Sequence, residues 1–175
     1  MNPRLLAGAV LAVLALGGCG TAAAPPPDPD APAVAWVDQI CQSAKSESPK
    51  LAQAPTVDPA NPQQARASLV GYLDTVSGAV QSLAEGIKKA GPAPVEGGQE
   101  AVDKALGALT SAQQSLAKAK TTLSGASITD TASYEKAVAA MRDSMAQLGD
   151  AGDPTAQLRK NKALDSAFAK AQHCS

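Results

Sequence analysis

The chain has 175 residues, of which 45% are hydrophobic and 18% charged, enough for one folded domain. Its 15 basic and 16 acidic side chains leave a formal charge of −1, and no basic run stands out, which excludes an electrostatic nucleic-acid binder. Only 2% of the residues are aromatic, so the core must be built from small and medium aliphatic side chains.

Residues 1–18, MNPRLLAGAVLAVLALGG, carry one positive charge at Arg4 and an apolar run from Leu5 to Leu16. A run of about a dozen residues fits an export signal and is short for a membrane span. It ends in Leu16-Gly17-Gly18-Cys19. This tetrad resembles the bacterial lipobox, with an aliphatic residue, two small residues and the obligatory cysteine. The resemblance implies a diacylglyceryl group on the Cys19 thiol and cleavage between Gly18 and Cys19. Two acyl chains would then hold the domain to a bilayer, since each buried methylene contributes about 0.8 kcal/mol.

Residues 19–33 read as the lipidated cysteine and a tether. Prolines 25, 26, 27, 29 and 32 favour an extended chain that projects the domain up to roughly 40 Å from the surface. Asp28 and Asp30 are expected to be solvated linker charges rather than a cation site.

The domain is expected over 34–175. Its first helix lies within 33–47, with Val37, Ile40, Cys41 and Ala44 on one face, followed by a four-proline loop over 48–62. In the second helix, Leu69, Leu73, Val76, Val80, Leu83 and Ile87 step by four and three, which makes one apolar stripe. Asn61 and Pro62 suit its start, and Gly91-Pro92 its end. A third helix over about 95–124 alternates Ala105, Leu109, Ala112, Leu116, Ala119 and Leu123, a large-and-small pattern that lets helices approach closely. A fourth runs over about 130–148, capped by Thr129 or Asp130, with Tyr134, Val138, Met141, Met145 and Leu148 in its stripe. A last helix is expected from Pro154 to about Gln172. No strand-type alternation occurs, so the fold class is all-α: an up-and-down bundle of four to five helices. Four apolar-striped segments can bury one another, which favours a monomer.

Cys41 and Cys174 remain. Export places them in an oxidising compartment, where a pair forms a disulfide, here between the first and last helices. It would close a loop of about 130 residues, worth about 5 kcal/mol in the chain-entropy model. His173 is the sole histidine, too few ligands for zinc, so no metal or other cofactor is expected. No nucleophile–base pair and no phosphate-binding glycine loop is present, so no catalytic residue is assigned and no enzyme is expected. Trp36, Tyr72, Met141 and Met145 are the candidate contacts for a ligand or partner.

Lipobox, proline tether, the Trp36–Cys41 stretch WVDQIC, alanine-rich helices and a cysteine just before the terminus together resemble small lipoproteins of mycobacteria and related actinobacteria. The resemblance implies a lipid-anchored protein on the extracytoplasmic face of the cell membrane and carries no catalytic residue across. Two functions follow as expectations: a non-enzymatic adaptor or scaffold that binds an envelope protein, or a carrier or sensor holding a small apolar molecule between helices.

Overall fold

A computed structural model describes residues 28–58, 60–151 and 154–174. The export segment, Gly18, Cys19 and the first part of the tether lie outside the described residues. The helices are α1 (Ala31–Leu51), α2 (Pro62–Ala90), α3 (Gly98–Gly125), α4 (Thr131–Ala151), α5 (Pro154–Arg159) and α6 (Lys162–Lys170). A 3-10 turn, Gln172–Cys174, follows, and no strand occurs among the described residues. The all-α class is as expected, and the Cys41–Cys174 disulfide joins α1 to the turn beyond α6, with Cα atoms 5.1 Å apart.

The spine is the α2–α3 hairpin. At 29 and 28 residues these helices are each about 40 Å long. Asn61 caps α2 through its side chain, which accepts from the Gln64 amide, with Pro62 just inside. Gly91 ends α2 at φ 74, a backbone that only glycine adopts without strain. The hairpin is antiparallel: Lys120 pairs with Asp74, and Arg66 donates to the Ala126 carbonyl at 2.9 Å, beyond the end of α3. α1 runs antiparallel to α2, from Trp36 beside Gly91 to Leu51 beside Tyr72. α4 packs along the second half of α3, and α5 along its first half.

Two elements differ from expectation. α1 starts at Ala31 and continues through Pro49 to Leu51, so the loop begins later and the tether ends sooner. Pro49 falls in the last turn, and the Tyr72 hydroxyl donates to the Leu51 carbonyl at 3.1 Å, satisfying one of the acceptors that a helix end leaves open. The expected last helix is broken at Lys160–Asn161. The Asn161 side chain accepts from the Ala163 and Leu164 amides, which starts a new helix, and donates to the Glu96 carbonyl at 2.8 Å. α6 therefore begins beside the α2–α3 turn and ends beside the start of α1, where Lys170 meets Asp30.

The interior divides in two. The upper core, near the start of α1, holds Trp36, Val37, Ile40, Ile87, Val102, Leu109, Leu158, Leu164 and Phe168. The lower core holds Ala65, Leu73, Leu116, Leu123, Ile128, Tyr134, Ala137 and Met141. Val80 packs against both.

Two glycines in α2 should respond oppositely to alanine. A Cβ at Gly86 would lie 2.8 Å from the Ser43 Cβ of α1, whereas one at Gly78 meets nothing within 4 Å. Gly86→Ala is expected to lower stability by about 1–3 kcal/mol through overpacking, and Gly78→Ala to raise it by about 0.5–1 kcal/mol. Urea unfolding of both variants checks the pair.

Candidate functional site

Asp30, Val34, Asp38 and Cys41 step by four, four and three along one face of α1. The C-terminal segment docks on this face. Cys174 is bonded to Cys41, and the two residues before it fall opposite Asp38. The Asp38 carboxylate accepts the His173 backbone N–H at 2.8 Å and lies 2.7 Å from His173 Nδ1, which requires the ring proton on Nδ1. The backbone N–H of His173, followed by its ring, holds the Asp38 carboxyl below its ordinary value of 3.8. About two turns nearer the start of α1, Lys170 forms an ion pair with Asp30. The hydrogen bond to Asp30, with the charges of Asp30 and Asp28 beside it, raises the Lys170 ammonium above 10.5. Asp30 is thus a paired side chain at the helix start, not the solvated linker charge expected.

An aspartate that orients a histidine through Nδ1 is half of a general-base arrangement. The neighbouring sulfur, Cys174, is held in the disulfide and offers no thiol to the imidazole. What these groups do as arranged is bind the chain's end to its first helix. Among the described residues, no three His, Cys, Asp or Glu side chains gather as metal ligands.

Of the four candidate contact residues, Trp36, Tyr72 and Met141 do not converge. Trp36 is buried in the upper core, with its indole N–H donating to the Gly91 carbonyl at 3.0 Å. Met141 is buried in the lower core, and the Met145 side chain lies outside the described residues. Tyr72 borders an open groove with Gln53, Pro55, Thr56 and Ser68. A second open groove, lined by Gln81, Glu85, Lys88, Thr110 and Gln113, follows the exposed side of the α2–α3 hairpin. Apolar side chains at helical spacing have gone into core packing, which is why Trp36 and Met141 present no surface to a partner.

Sequence reading missed Asp38 and Lys170. A signal for Asp38 existed: it stands three residues before Cys41, and His173 stands one before Cys174, so the disulfide brings the two within reach. Lys170 had no comparable signal.

No known family model matches the chain, and neither a curated protein nor a solved structure is significantly similar to it. No described helix is long and apolar enough to cross a membrane.

The Asp38 carboxylate stabilises the fold only while ionised. Its folded pKa lies below its unfolded one, so the contribution is complete above the unfolded value and vanishes as pH falls through the folded one. Asp38→Asn is expected to melt below the wild type at pH 6, with the gap closing as pH drops below 3.8. A melting series from pH 7 to pH 2 checks this, and a gap that widens in acid contradicts it.

Proposed function

We propose that the chain is an extracytoplasmic lipoprotein, anchored to the membrane through Cys19, whose helical domain serves as a non-enzymatic adaptor or scaffold for another envelope protein. The Leu16-Gly17-Gly18-Cys19 tetrad carries this reading, standing directly after an apolar run and about a dozen residues before α1. Support also comes from where the tether would join. It meets the domain at Asp28–Asp30, beside Lys170 and on the α1 face that the disulfide pins, so a pull from the anchor would fall on the cross-linked end.

Adaptor use is favoured over the carrier because Trp36 and Met141 are spent on two separate cores. The long exposed side of the hairpin, with its groove of amides, hydroxyls and charges, is the surface such a partner would contact.

Cys19→Ser tests the anchor. The wild type should partition into the detergent phase of solubilised membranes, and the variant should appear in the aqueous phase. A variant that stays with the membrane, or a wild type that does not, overturns the lipid anchor. Photo-crosslinking from Gln81 and Gln113 in native cells should capture one specific envelope protein. Capture of none overturns the adaptor role.

A further inference from the structure

We propose that residues 162–174 form a redox-released clasp: two-electron reduction of Cys41–Cys174 by a dithiol frees α6 and the terminal turn from α1, while the α2–α3–α4 core stays folded. This is a property of the domain and stands whether or not Cys19 carries lipid.

The covalent and charged attachments of this segment to α1 include the disulfide, the Asp38–His173 pair and the Asp30–Lys170 pair, all along one face of the helix. Both polar pairs are partly exposed, so water weakens them and the covalent bond is what makes the attachment permanent. α6 has only nine residues, too short to persist as a helix once undocked. Its apolar hold is a single short stripe, Leu164, Ala167, Phe168 and Ala171, all of it in the upper core. No residue of α1, α5, α6 or the turn belongs to the lower core. The clasp can therefore open as a local unit without touching the lower core, in which α2, α3 and α4 meet.

Both cysteines are only half-buried, so a reductant can reach the bond. A thiolate of the dithiol attacks one sulfur of the pair, forming a mixed disulfide and releasing the other sulfur as thiolate. The second thiol of the dithiol then displaces the remaining cysteine and closes its own disulfide. The two electrons pass from the dithiol, which is oxidised, to Cys41 and Cys174, which end as thiols. α1 keeps its seat on α2 through the Trp36–Gly91 hydrogen bond and the close approach of Ser43 to Gly86. Opening thus uncovers the face bearing Trp36, the sole tryptophan of the chain and a built-in reporter.

Hydrogen exchange of the folded protein, oxidised and then reduced with dithiothreitol, tests the clasp. On reduction, amides 163–174 should exchange at least tenfold faster and acrylamide should quench Trp36 several-fold more strongly. Amides of 65–75 and 112–125 should be unchanged. Equal acceleration along the whole chain means that the disulfide serves global stability alone and overturns the proposal, as does no acceleration in 163–174. In the oxidised protein, Asp38→Ala should leave 163–174 protected. If that variant opens the segment as far as reduction does, the disulfide is not the gate.

Discussion

The covalent bond between Cys41 and Cys174 decides how the upper half of this molecule can exist. α6 is too short to form alone, yet it and its C-cap supply Leu164, Phe168 and Ala171 to the upper core, with Cys174 of the turn packed beside them. Pinning residue 174 to α1 keeps those side chains at high local concentration over Trp36, Val37 and Ile40. Asp38 and His173 then set the orientation of the last turn, because one carboxylate meets both the backbone N–H and the ring of the same residue.

The lower half needs no such device. α2, α3 and α4 are long and follow one another with short connections, so their stripes meet with little chain to order between them. Alanines at 105 and 119 are fully buried between larger neighbours on α3, which lets α3 serve both cores along its length. The described residues thus read as a hairpin-plus-helix to which α1 and the α6 segment have been added and locked together. Under the proposed lipid anchor, the locked end would also be the end where the tether joins.

Local chemistry announced itself in the sequence wherever it was punctuated. Asn61-Pro62 and Gly91-Pro92 bracket α2 because cap and stop residues act within a turn of their own position. The stripe from Ala105 to Leu123 was readable because each member needs only its periodicity. The α4 start was readable in the same way: the Asp130 side chain accepts from the Ser133 amide at 2.8 Å. What escaped depends on distant partners. Pro49 does not end α1, and the Tyr72 hydroxyl meets the helix end from across a loop. The break at Asn161 is fixed by a carbonyl of Glu96, far away in sequence. The split into two cores, with Trp36 in one and Met141 in the other, follows from how the hairpin is flanked and leaves no mark on any single stripe.

The three cysteines must divide between two fates for this account to hold, and one measurement sees both. Non-reducing peptide mapping by mass spectrometry, on protein taken from envelope membranes, should find one linked pair joining the Cys41 and Cys174 peptides. It should also find an N-terminal peptide that begins at Cys19 and carries acyl mass. A disulfide involving Cys19, free thiols at Cys41 and Cys174, or an unmodified chain running through Gly18 into Cys19 would contradict it.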